Sequence, residues 1–272
     1  MTSNRPALPI WIDGELRPRE AAALRGDDSA ALEGRGCYTT ARVSGGAVLW
    51  AERHARRLDR DANTLGLGAV DRGLVERAFG ELTRAAFGRG EGAIRLQASC
   101  DGSGRLHLLG IPRELGDEPA LWRAVSAESV HPGVTPWSGV KVTNRLEMGF
   151  ARQQAARRGV DEAILFDRDG FAVEGSRSNL LFVGDDDRVA ALDPRRGAVA
   201  GIALEVLREA LPDLPLADLP RPEALRVREL IAVNSLRGAR PVVELDGALV
   251  GDGAPGPWSR RLASILESVE PG

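Results

Sequence analysis

Lysine is almost absent from this chain of 272 residues: of 36 Lys and Arg residues, 35 are arginine and one, Lys141, is lysine. Cysteine is scarce too. Two residues, Cys37 and Cys100, are too few for a disulfide framework. Three histidines, with no Cys-x-x-Cys or His-x-x-x-His spacing, argue against a metal site. A net charge of −3 leaves no basic excess for nucleic acid or an anionic membrane surface. No apolar run is long enough to span a bilayer, and "MTSNRPALPIWIDG" lacks the apolar stretch of a secretory leader. Repeats and low-complexity tracts are missing as well. The expectation is a reduced, cytoplasmic protein.

What is present is ordinary globular material. Hydrophobic residues make up 43% and charged residues 28%, enough for a core of useful size. "PIWIDGELRP" alternates around Asp13-Gly14 and reads as a hairpin. A second hairpin is expected from Cys37–Val43, a turn at Ser44-Gly45-Gly46, and a strand near Val48–Trp50. Ala51, Ala55, Leu58, Ala62 and Leu65 then fall at helical spacing, and another helix is expected over Leu74–Phe87. "AIRLQASC" and "RLHLLGI" flank the turn "DGSG". In the second half the pattern predicts a helix over Leu146–Arg158, ended by Gly159. An antiparallel meander follows over "DEAILFD", "FAVEGS" and "NLLFVGDDDRVAAL". Helices are also expected from Ile202 to Pro212 and at "SRRLASILESV". Strands cluster in hairpins and not in βαβ alternation, so the predicted class is α+β. The expected division is a small α/β domain at 1–115, a linker at 116–127, and a larger domain at 128–272.

Lys141 lies in "WSGVKVTNRLE", between Val140 and Val142, an awkward place for a solubilising charge. Arginine can ion-pair and bind phosphate, but it cannot deprotonate and attack a carbonyl carbon; lysine can. Schiff-base chemistry with pyridoxal phosphate needs such a lysine, a carboxylate for the ring nitrogen, and helix N–H groups with a cation for the phosphate. Glu174, at a strand end in "FAVEGSRSN", is a candidate for the ring nitrogen or a plain surface carboxylate. Gly201 opens a helix whose Ile202 and Ala203 N–H groups point outward, or it is a common glycine-rich loop. Asn234–Leu236, with the Ser235 hydroxyl, is a second donor set or a turn. Arg57 is a phosphate cation or part of a solvated helix face. His54 reads as packed or capping and His107 as half-buried; His131 receives no role. Cys37 reads as buried and inert rather than as a reactive thiol. Tyr38, the single tyrosine, lines a pocket or packs.

The set "GCYTTARV…HARRL", "GVKVTNRLE…DEAILFDRDGFAVEGSRSNLLFV", "GAVAGI" and "NSLRGARPV" resembles the class IV, fold-type IV pyridoxal phosphate enzymes. That group includes branched-chain and D-amino-acid aminotransferases and 4-amino-4-deoxychorismate lyase. The likeness runs from about Ile10 to Val243. It implies a pseudo-barrel larger domain, Lys141 as Schiff-base lysine, and Glu174 as partner of the pyridine nitrogen. It implies Arg57, Ile202, Ala203, Ser235 and Leu236 as phosphate contacts, and a homodimer acting on a small molecule. Arg42 or Arg145 is expected to hold a substrate carboxylate, and Tyr38 is a further substrate-binding candidate. Leu146, where the branched-chain enzymes place tyrosine, makes the lyase the closer likeness; it would form 4-aminobenzoate and pyruvate. The alternative is an aminotransferase for branched-chain or D-amino acids, followed by a catalytically silent relative. Ala203 and Leu204 depart from the family's usual Thr or Met followed by Arg. "CDGSGRLHLLG" departs from the lyases' Arg/Gly/Tyr segment.

Overall fold

The computed structural model describes residues 7–21 and 23–269. Residues 1–6, part of the leader reading, lie outside the described residues. The chain forms two compact units, one of residues 7–117 with 140–144, the other of 118–139 with 145–269. Among the described residues no helix is long and apolar enough to cross a membrane.

The first unit is an antiparallel sheet. Its strands are β1 (Ile10–Ile12), β2 (Glu15–Arg17), β3 (Cys37–Ser44), β4 (Ala47–Val48), β5 (Gly92–Cys100) and β6 (Leu106–Arg113), in the order β2-β1-β6-β5-β3-β4. Helices α1 (Ser29–Leu32), α2 (Ala51–Thr64) and α3 (Arg72–Leu82) belong to the same unit. The β1–β2 turn needs left-handed backbone at Asp13 (φ 47°) and Gly14 (φ 108°), which the Asp-Gly pair supplies. Trp11, Leu58, Phe79, Leu82, Ile94 and Leu96 fill the core between sheet and helices. Burying each such side chain contributes about 1.5–3 kcal/mol. Two local expectations shift. Trp50 adopts a left-handed conformation (φ 55°) at the start of α2 and is not part of a strand. The helix expected over 74–87 starts at Arg72, where Asp71 accepts from the Gly73 and Leu74 N–H groups, and widens into a π turn at Thr83–Phe87.

The second unit holds a mixed sheet. Its strands are β7 (Trp122–Ser126), β8 (Glu162–Phe166), β9 (Ala172–Gly175), β10 (Asn179–Val183), β11 (Val189–Leu192), β12 (Leu216–Ala217), β13 (Glu229–Asn234), β14 (Gly238–Leu245) and β15 (Ala248–Leu249). They follow the order β12-β11-β10-β13-β14-β7-β8-β9, with β15 on β14. Its helices are α4 (Leu146–Arg158), α5 (Ile202–Ala210), α6 (Arg221–Ala224) and α7 (Pro257–Ser268). As predicted, α4 ends in a left-handed Gly159 (φ 67°).

Two expectations are corrected here. Residues 122–126, assigned to a linker, form β7, paired parallel with β14 and with β8. Parallel partners from distant sequence leave no hairpin signature, so the segment carries little local pattern. The expected meander is broken between β9 and β10, which share no ladder; β10 pairs instead with β13, Asn179 opposite Val233. The turn between them is held by Glu162, a fully buried carboxylate that accepts from the Ser176 N–H (2.9 Å), the Ser176 hydroxyl (2.5 Å) and the Ser178 hydroxyl (2.7 Å).

His107 on β6 ties two turns of the first unit together. Its Nδ1 meets Asp13 at 2.5 Å and its Nε2 meets Asp101 at 3.1 Å, with Arg25 3.9 Å from Asp101. Burial alone would lower the histidine's pKa, but the two carboxylates outweigh it and raise it above its ordinary 6.5. A pKa raised by folding stabilises the fold below the unfolded value and loses that contribution as pH rises through the folded one. The melting midpoint is therefore expected to fall between pH 6 and pH 9, and by less in His107→Gln. Thermal denaturation followed by circular dichroism checks this.

Candidate active site

In the first unit the lone lysine is clamped by its backbone. The Lys141 carbonyl accepts from the Tyr38 N–H at 2.9 Å, and the Thr143 N–H donates to the Gly36 carbonyl at 2.8 Å. Cys37 and Val142 form an isolated antiparallel bridge. On the other side, the Lys141 N–H donates to Asp61 Oδ2 at 3.0 Å, and Asp61 is wholly buried on α2. The segment is thereby laid along the edge of β3 at Cys37 and Tyr38. Its ammonium Nζ stands 5.1 Å from the centre of the Tyr38 ring, and the Arg95 guanidinium carbon stands 3.6 Å from the same ring.

Helix α2 brings an unusual stripe to this place. His54, Arg57 and Asp61 recur at helical spacing and are all buried. The Arg57 Nη2 donates to the Thr39 hydroxyl at 2.6 Å, and that oxygen lies 2.6 Å from His54 Nδ1. Burial first, then the charges of Arg57 and Lys141, push the His54 pKa well below 6.5, so the ring is neutral. Burial and the neighbouring Asp61 push the Cys37 thiol up to about 12, which makes it inert. Arg42, on the same face of β3 as Tyr38, pairs with Glu91 at 3.0 Å.

In the second unit the centre is Glu174, on β9 and 2% exposed. Its Oε2 accepts from the Val199 N–H at 3.1 Å and its Oε1 from Arg145 Nη2 at 3.2 Å. Arg145, expected on a substrate carboxylate, therefore lies on Glu174. His131, which the sequence left without a role, is also buried and stands 3.5 Å from Oε1. No local signal marks it: it sits in an irregular loop before Pro132, and its neighbour is 43 residues away in sequence.

The start of α5 lies close to the ends of β10 and β13. Gly201 precedes the helix, and a Cβ there would sit 1.9 Å from Asn179 Oδ1 on β10. Asn179 donates to the Val199 carbonyl at 2.9 Å and pairs across the ladder with Val233. No side chain caps α5, although Ile202 and Ala203 are each 1% exposed. A buried helix start without a cap presents N–H groups and a positive dipole end to an anion. In the nearby 234–237 turn, Leu236 N–H, expected to face a phosphate, donates to Asn234 Oδ1 at 3.0 Å.

Residues 36–245 match the family model of amino-transferase class IV, and the chain belongs to that family. It is 27% identical to the bifunctional aminodeoxychorismate lyase / D-amino acid transaminase of Mycobacterium tuberculosis, over 66% of this chain and 68% of that one. It is 28% identical to a D-alanine aminotransferase of Staphylococcus aureus, over 95% and 96%. It is 23% identical to branched-chain-amino-acid aminotransferase-like protein 2 of Arabidopsis thaliana over 98% of this chain, but spans only 52% of that relative's length. Its fold matches the solved, PLP-bound form of a hypothetical aminotransferase from Mycobacterium tuberculosis, with a TM-score of 0.82, 22% identity, and coverage of 96% and 98%.

Replacing Asp61 with alanine removes the acceptor of the half-buried Lys141 N–H, and a cost of about 1–3 kcal/mol is expected. Asp61→Asn keeps an oxygen there and is expected to cost less. Urea denaturation of both variants measures the difference.

Proposed function

We propose that the chain is a pyridoxal 5'-phosphate-dependent aminotransferase exchanging the amino group of an amino acid with a keto acid. The observation that carries it is Glu174: a carboxylate shut away from water and surrounded by donors, which suits a ring nitrogen that must stay protonated. The uncapped start of α5 fits a phosphate equally well. When bound, pyridoxal phosphate supplies an aldehyde for an amine and a ring that withdraws electrons.

The chain's own residues then divide the work. Lys141 would hold the aldehyde end through Nζ, and its amine would serve as the general base and acid that moves protons. Glu174 would face the ring nitrogen. The Ile202 and Ala203 N–H groups, the Ser235 hydroxyl and Arg57 would hold the phosphate, and Ala203 would serve through its backbone alone. Arg42 and Tyr38 share the β3 face with Arg95, which gives that face the cationic and aromatic groups a substrate carboxylate needs. Relatives matched over nearly their whole length include D-alanine aminotransferases and a putative branched-chain-amino-acid aminotransferase, which favours D-amino or branched-chain donors over the lyase reaction. The lyase stands as the second reading. It is supported by the Lys141-Val-Thr-Asn-Arg-Leu-Glu147 run and by the bifunctional relative. A homodimer belongs to the same reading; Leu146 and Phe150, one turn apart on α4, are 62% and 58% exposed.

Purified protein is expected to be yellow, and borohydride reduction followed by peptide mass spectrometry is expected to find the cofactor on Lys141. The Lys141→Arg variant should show no adduct and no turnover. D-Alanine or L-leucine with 2-oxoglutarate should yield the matching keto acid. Release of 4-aminobenzoate from aminodeoxychorismate without a keto acid, with no transfer from any amino acid, would reverse the order of the two readings. Gly201→Ala should weaken cofactor binding by about tenfold or more, because its Cβ displaces Asn179 or the start of α5. Fluorescence titration of the apoprotein measures this.

A further inference from the structure

Resting on the cofactor reading above, we propose that His131 is a positioning residue: a neutral imidazole, locked in one tautomer, that holds the buried Glu174 carboxylate in place for the ring nitrogen. The tautomer follows from one contact. The Gly133 N–H donates to His131 Nδ1 at 3.0 Å, so Nδ1 carries a lone pair and the ring hydrogen sits on Nε2. Among the described residues Nε2 has no hydrogen-bond partner, and it stands 3.5 Å from Glu174 Oε1, so a movement of a few tenths of an ångström completes a bond. Protonating Nδ1 would set two N–H groups against each other across the same contact, so the geometry selects the neutral ring.

The surroundings are built for this arrangement. The His131 N–H donates to the Phe166 carbonyl of β8 at 2.9 Å, tying the loop to the strand beside β9. Gly197 has φ 102°, and a Cβ there would lie 2.1 Å from the Gly133 carbonyl oxygen and 3.3 Å from His131 Cε1. Only glycine lets the 197–199 segment close onto the histidine loop, and that same segment delivers the Val199 N–H to Glu174. Val199, Arg145 and His131 thus approach the carboxylate as donors. Arg145 gives charge, whereas His131 gives direction without adding a second cation beside the first.

The test uses the full-length protein. In the apoprotein, long-range proton–nitrogen correlation of labelled imidazole, with the signal assigned by its loss in His131→Gln, is expected to show the hydrogen on Nε2. Hydrogen on Nδ1 would overturn the proposal. With pyridoxal phosphate added, His131→Leu is expected to bind it about tenfold more weakly and to shift the absorption spectrum of the bound cofactor. His131→Gln, whose amide N–H can occupy the Nε2 position, should recover most of both. A leucine variant with unchanged affinity and spectrum, beside a wild type that carries the cofactor on Lys141, would overturn the role of His131 alone. A wild type that carries no cofactor on Lys141 would overturn the cofactor reading, and this proposal with it. Should the leucine variant not fold, the tautomer and the glutamine spectrum decide.

Discussion

A carboxylate removed from water costs several kcal/mol unless donors replace the lost solvent, and Glu174 is such a carboxylate. Its donors come from segments that are far apart in the chain: Arg145 at the start of α4 and the Val199 N–H in the turn before α5, with His131 close by in an irregular loop. Each of these segments has little regular structure of its own, and the buried charge gives it one position. A second buried carboxylate, Glu162 on β8, does the same for the Ser176–Ser178 turn. Strand β9 is therefore pinned from both sides, by its own glutamate and by the serines that follow it. The break in the expected meander is a consequence: with Ser176 and Ser178 committed to Glu162, the chain leaves β9 and joins β13.

The first unit solves a related problem with a helix. A buried face of α2 would ordinarily be apolar throughout, yet His54, Arg57 and Asp61 share it with Ala55, Leu58 and Ala62. Each polar group has a stated duty. Asp61 accepts the Lys141 N–H, Arg57 donates to Thr39, and the Thr39 hydroxyl pairs with His54 Nδ1. A neutral histidine between arginine and lysine avoids a third positive charge in a dry place, which is why its pKa falls.

Much of the local structure could be read from residues alone. The Asp13-Gly14 turn, helix α4 with its Gly159 end, and the start of α5 after Gly201 all rest on short-range sterics and spacing. The singularity of Lys141 needed only a count. What escaped was non-local. Strand β7 looked like a linker because its partners are parallel and distant. The family likeness singled out Arg57, but spacing alone did not show that it is buried while Arg56 and Arg60 on the same helix are exposed. Arg145 was expected on substrate and lies on Glu174, and His131 had no period, motif or turn chemistry to single it out. Nor does spacing show that Asn234 takes the Leu236 N–H.

By itself, then, the sequence determined which chemistry was affordable. One lysine among 36 Lys and Arg residues, no metal-binding spacing and few thiols are what make imine chemistry at Lys141 the expectation. Tertiary structure decided which polar groups are buried and which partners they meet, because burial and hydrogen-bond direction are properties of packing and not of spacing. A glutamate, an arginine or a histidine carries the same side chain on the surface as in the core. Only the donors and acceptors that folding places within about 3 Å give it a charge state, a tautomer and a role.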